Sequence, residues 1–126
     1  MVIVSLGIDA TDIHRIDEAR RRYGDRFLQR VFTADEIAYC MRRRNPAPHL
    51  AARFAAKEAA MKALGTGVSR GVVWRDIEVS RREGPPQLRL HGIAATRFTS
   101  LGATRALLSL THAESLALAQ VLFVKD

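Results

Sequence analysis

Apolar positions along this chain repeat with two periods, and the places where one period gives way to the other mark the elements. Val2-Ile3-Val4-Ser5-Leu6-Gly7-Ile8 is a short β-branched run, apolar on both faces, and predicts a buried strand that delivers Asp9 at its end. Ile13, Ile16 and Ala19 then recur at helical spacing, so a helix follows, capped by Thr11 or Asp12 and ending at Tyr23-Gly24. After an apolar Phe27-Leu28 and Val31-Phe32 patch, Thr33-Ala34-Asp35-Glu36 has the form of a capping box and opens a helix reaching about Arg42. Asn45-Pro46-Ala47-Pro48 breaks the chain. A long helix over residues 49–64 comes next, rich in the strong helix formers Ala, Leu, Met, Lys and Glu and closed by Gly65.

Residues 74–80 and 87–90 alternate as strands around Glu83-Gly84-Pro85-Pro86, a hairpin connection. Residues 93–101 read as a helix stopped by Gly102, and strands over 104–111 and 115–124 meet at His112-Ala113-Glu114. The last strand, centred on Leu118 to Leu122, is apolar on both faces, which puts it at the centre of a sheet or beneath another subunit. Together these elements predict an α+β fold. A mostly antiparallel sheet packs against a long helix and shorter helices, in a single domain over residues 1–126.

Charge narrows the partners. Lys and Arg number 20 against 13 Asp and Glu, a formal charge of +7, so the chain suits anionic partners such as nucleotides, nucleic acid or an acidic protein. Cys40 is the only cysteine, which rules out an internal disulfide and fits a reducing, cytoplasmic setting. The opening residues lack the pattern of a secretory leader, and the apolar stretch 106–124 contains His112 and Glu114, which argues against a membrane span.

Candidate chemistry centres on Asp9 and Glu58. Asp9 stands at a strand end beside Gly7, and Glu58 lies one turn before Lys62, sharing its helix face. Magnesium binds through one or two carboxylates plus substrate phosphates, so two acids brought together suffice. Each feature also has a plainer reading: a turn aspartate and a common i,i+4 ion pair. Arg53, Lys57 and Lys62, with Arg42, Arg43 and Arg44 before them, supply cations for phosphate groups, although the triple arginine reads equally as a solvated run. Arg53 and Lys62 fall on opposite sides of the helix, so they suit an extended ligand with separated phosphates. His112 at a strand reversal can donate to phosphate or be incidental. Gly65-Thr66-Gly67 is too short for a phosphate-cradling loop of the Gly-x-x-x-x-Gly-Lys kind, and no Ser/His/Asp set supports covalent catalysis.

Three separated blocks coincide: Gly7-Ile8-Asp9 with Arg15-Ile16, Arg53-Phe54-Ala55-Ala56-Lys57-Glu58-Ala59 with Lys62-Ala63 and Gly65-Thr66-Gly67, and Leu108-Ser109-Leu110-Thr111-His112. In this order they resemble the holo-acyl-carrier-protein synthases, the small class of phosphopantetheinyl transferases. The resemblance implies transfer of 4′-phosphopantetheine from coenzyme A to a serine of an apo acyl carrier protein, in support of fatty acid biosynthesis. Adenosine 3′,5′-bisphosphate leaves, and the reaction depends on magnesium. It makes Asp9 and Glu58 metal ligands, Lys62 a phosphate-binding catalytic lysine, and His112 a catalytic residue near the nucleotide. Arg53, Lys62, Gly65, Thr66, Gly67 and His112 then hold coenzyme A.

The resemblance further implies a homotrimer with sites between subunits, His112 coming from the neighbour of the chain that supplies Asp9 and Glu58. A carrier protein docks on the helix bearing Arg15 and Arg22, with Arg26 beyond it. Glu58 or metal-bound water is the candidate acceptor of the serine proton. Thr11 stands where the fused, two-lobed class often has another carboxylate. The competing reading is a non-enzymatic nucleic-acid-binding module, for which the chain lacks zinc-finger spacing or an aromatic stacking strand.

Overall fold

The computed structural model describes residues 1–82 and 84–126. In chain order these form β1 (Val2–Asp12), α1 (Ile13–Tyr23), α2 (Asp25–Val31), α3 (Ala34–Met41), α4 (Pro46–Leu64), a 3₁₀ turn (Trp74–Asp76), β2 (Ile77–Ser80), β3 (Gln87–Leu90), α5 (Gly92–Ser100), β4 (Arg105–Ala113) and β5 (Leu116–Lys125). One antiparallel sheet has the order β1-β5-β4, and β2 pairs with β3 in a separate hairpin.

Alanine content explains the centre of the fold. Helix α4 buries Ala51, Ala55, Ala56, Ala59, Ala60 and Ala63, and these short side chains let the sheet lie close against it. At Gly7 the contact is backbone on backbone: a Cβ there would sit 1.9 Å from the Ala59 carbonyl oxygen, so no larger residue fits. The C-terminal half of α4 packs on Ile77, Val79, Ala119, Val121 and Phe123, while its N-terminal half meets Ile16, Leu28, Val31 and Phe32 from α1 and α2 and the residue that follows. Gly65, with φ +76°, closes the helix, and the Gly65 and Thr66 amides both donate to the Met61 carbonyl.

Several expectations meet the structure intact. Thr33 and Glu36 form the reciprocal capping box, and β5 is the central strand of its sheet. Of the two candidate caps for α1, Asp12 does the work, accepting from the His14 and Arg15 amides.

Other expectations are corrected. β1 is an edge strand, not a buried one: Leu6 and Ile8 are more than half exposed, because only its inward face has α4 to cover it. Phe27, Leu28 and Val31 of the apolar patch lie on a helix, α2, at i, i+3 and i+4 spacing, and Phe32 follows its end. Pro46 does not break the chain but opens α4, since a proline costs nothing where the amide has no helical acceptor. The strand expected from residue 74 begins at Ile77, after the 3₁₀ turn. Within the connection 83–86, Glu83 lies outside the described residues.

Candidate active site

Close contact of β1 with α4 brings two acids together. Gly7 seats the strand on Ala59, Ser5 Oγ fastens it by donating to the Ala63 carbonyl at 2.8 Å, and Asp9 follows two residues later on the same inward face. Glu58 immediately precedes Ala59, so both carboxylates enter one cleft of about 360 Å³ between β1, α1 and α4, lined also by Asp12, Arg15, Phe27 and Phe54. Their proximity is felt electrostatically. Partial burial and then the Asp9 charge push the Glu58 carboxyl above its ordinary range, with Lys62 opposing.

Asp9 is the better anchored acid. Its Oδ2 accepts from the Thr11 hydroxyl at 2.9 Å, and its Oδ1 faces Lys62 Nζ at 3.2 Å. Thr11 therefore orients the Asp9 carboxylate. Lys62 also donates to the Ile8 carbonyl at 2.9 Å. The same-helix pairing expected from the Glu58/Lys62 spacing is replaced by this reach across to β1, because Asp9 and a free carbonyl offer two acceptors at once.

Lys57 is not a ligand cation. Its side chain is wholly buried, donating to Glu36 Oε1 at 2.7 Å and to the carbonyls of Trp74 and Ile77. Arg53 also turns away from the acidic cleft. It is buried, stacks 4.3 Å from the Tyr39 ring and donates to the His49 carbonyl at 3.3 Å, and its Nε has no partner among the described residues. With His112, His49, Arg81 and Thr111 it lines a second cleft of about 290 Å³. One chain thus carries two separate clefts, with Asp9 and Glu58 in one beside Lys62, and Arg53 and His112 in the other.

Gly65, Thr66 and Gly67 continue from α4 just beyond Lys62. Thr66 is buried, and Arg97 Nε donates to the Leu64 carbonyl at 3.1 Å, tying the helix end to α5. Arg15, Arg22 and Arg26 are exposed on α1 and α2, whereas Arg20 and Arg21 are drawn onto Asp17. Sequence reasoning missed His49, Tyr39 and Arg81. His49 was detectable, since it lies four residues before Arg53 on the same helix face.

The acidic pair fits a hard divalent cation: two oxygen donors from rigid elements, repelling each other, opening on a cleft with room for phosphate and water. Among the described residues no third acidic, His or Cys side chain joins them as a ready-made cage.

Residues 5–120 match the model of the 4′-phosphopantetheinyl transferase superfamily. The holo-[acyl-carrier-protein] synthase of Solibacter usitatus is 48% identical over 122 residues, covering 96% of this chain and 98% of that protein. Among solved structures, the synthase of Neisseria meningitidis aligns with a TM-score of 0.86 at 32% identity, covering 98% of this chain and all of that one. That of Bacillus anthracis, in complex with CoA (3′,5′-ADP), aligns at 0.79 and 31% identity, with both chains fully covered.

Proposed function

The chain belongs to the 4′-phosphopantetheinyl transferase superfamily, in its holo-acyl-carrier-protein synthase class, and from that premise we propose how its residues transfer phosphopantetheine from coenzyme A to a carrier serine. The observation that carries the reading is the convergence of Asp9 and Glu58, remote in sequence, on one cleft beside Lys62.

Asp9 and Glu58 would hold magnesium, which when bound neutralises charge on the substrate diphosphate. The serine oxygen attacks the phosphorus that carries the pantetheine arm, the bond from that phosphorus to the bridging oxygen breaks, and adenosine 3′,5′-bisphosphate leaves. Lys62 releases Asp9 and turns its ammonium to the bridging oxygen, stabilising the charge that develops there. Glu58, in the cleft where the serine would enter, is the candidate acceptor of the serine proton. Incubation with apo-carrier, coenzyme A and magnesium tests the whole: the intact carrier gains the mass of one phosphopantetheine, and an unchanged mass refutes the assignment. The nucleic-acid-binding alternative finds no support in the comparisons.

The second cleft is completed by another copy. The outward face of the sheet presents cross-strand rows Leu6-Leu122-Leu107 and Ala10-Leu118-Thr111, with Ile8-Gln120-Ser109 between them. Leu6, Ile8 and Leu107 are exposed there, an apolar face that a trimer would cover, bringing one chain's His112 and Arg53 to the next chain's Asp9 and Glu58. Leu122→Glu should give monomers in sedimentation and lose transfer activity together. A fully active monomer would overturn the shared site.

The carrier's acidic surface is proposed to meet Arg15, Arg22 and Arg26, which lack acidic partners among the described residues. Reversing Arg15 and Arg22 to Glu is expected to raise KM for the carrier about tenfold at low salt. Equal KM values for carrier before and after would reject this surface. Among the described residues no helix is long and apolar enough to cross a membrane. Buried Cys40, its thiol pushed up to about 11 chiefly by burial, is a packing residue and not a nucleophile.

A further inference from the structure

The cleft behind Arg53 holds a residue that neither the motifs nor the proposed transfer uses. We propose that His49 is a direct contact to the second phosphate of coenzyme A, forming with His112 and Arg53 a clamp for a phosphomonoester that takes up a proton as it closes. The proposal rests on the reading above, in which the diphosphate lies at Asp9 and Glu58 and the far end of the ligand enters the second cleft.

Geometry supports it first. The His49 and His112 rings lie 6.0 Å apart at 68°, edge to face, in a cleft whose lining residues include Arg53, Arg81 and Thr111 but no carboxylate. The Tyr39 ring also packs edge to face on His49, at 6.2 Å and 71°. The Arg53 guanidinium donates to the His49 carbonyl, so both side chains project from one turn of α4. His49 is part-exposed, and among the described residues no hydrogen bond engages its ring nitrogens. An imidazole packed against two rings, its nitrogens unpartnered among the described residues and its cleft shared with Arg53 and Arg81, is arranged for an anion.

Charge supplies the proton coupling. The groups facing His49 are Tyr39 from α3, Arg43 after it, Arg53 on α4, Arg81 after β2 and His112 from β4. Burial, then Arg53 and His112, and then Arg43 and Arg81, hold the imidazole below its ordinary value, so it is neutral near pH 7. A phosphate dianion entering the cleft reverses that balance. The ring gains a proton, and with it a second N–H donor. Affinity for the phosphate should therefore strengthen as pH falls from 8 towards 6.

Calorimetric titration of adenosine 3′,5′-bisphosphate and of 5′-AMP, which lacks the 3′-phosphate, tests this near pH 7 in two buffers of different ionisation enthalpy. The protein is used as isolated, with its natural self-association. Proton uptake with the bisphosphate and its preference over 5′-AMP are expected for the parent. His49→Phe should bind the bisphosphate about tenfold more weakly with reduced uptake, its 5′-AMP affinity unchanged. His49→Lys, permanently charged, should keep the preference but lose the uptake. The phosphate's own ionisation near pH 6 is common to all three proteins and cancels in the comparison. If His49→Phe matches the parent in both affinity and uptake while the parent discriminates, the inference falls alone. If the parent itself does not distinguish the two nucleotides, the reading of the cleft falls, and the inference with it.

Discussion

Glu58→Gln is expected to lower phosphopantetheine transfer by about 10³-fold or more and to leave the fold at least as stable as the parent at neutral pH. The two outcomes have one cause. Glu58 sits partly buried beside Asp9, so in the folded protein its proton is held more tightly than in the unfolded chain. A carboxyl raised in this way contributes stability below its unfolded value, near pH 4.3, and that contribution is lost as pH rises through the folded value. Above that window the ionised carboxylate weighs against folding, and an amide of equal size removes the repulsion. Thermal unfolding without metal should show the variant equal or higher at pH 7 and the difference gone at pH 4. Added magnesium should stabilise the parent and not the variant. Asp9→Asn should lose activity to a similar degree, with a small loss of stability because Lys62 forfeits its charged partner. Either variant with parental activity would remove the acids from the chemistry.

Much of this site could be read from the sequence because its parts are local. Gly7 and Asp9 belong to one β-branched run, Glu58 and Lys62 to one alanine-rich helix, and period and composition place each within its element. What joins the elements is not local. Lys62 prefers Asp9 and the Ile8 carbonyl over Glu58 for reasons that appear only when β1 lies on α4. Strand order has the same character: β1 is as apolar as a central strand, and its edge position follows from β5 pairing on one side alone. α2 is hidden in the sequence because seven residues give barely two turns of period, and the preceding Gly24 looks like a helix end although it is a corner with φ +55°. Lys57 is the most instructive miss. Beside Glu58 in a basic motif it resembles a ligand cation, and nothing in its neighbours reveals a partner contributed by Glu36.

Lys57→Met is expected to destabilise the protein by about 3–5 kcal/mol, the largest stability loss of any single substitution considered. Both members of the pair are fully buried, and burial holds the Lys57 ammonium below its ordinary range while Glu36 opposes that shift. Without Lys57, the Glu36 carboxylate stays in the core, facing the Thr33 amide at 2.9 Å and the Val79 amide at 3.0 Å with its charge uncompensated. Adding Glu36→Gln to Lys57→Met should recover a large part of the loss, because an amide oxygen still accepts from one of those amides and carries no charge. Urea unfolding of the parent, both single variants and the double variant measures the coupling; independent, additive losses would show that the pair does not act as a unit. The site has a stake in the result. Glu36 anchors α3 to α4 and β2, and Tyr39 on that same helix is the surface on which Arg53 stacks. Loosening the ion pair should therefore weaken bisphosphate binding even in a Lys57→Met sample that remains folded, while leaving metal binding at Asp9 and Glu58, on the opposite side of α4, unaffected.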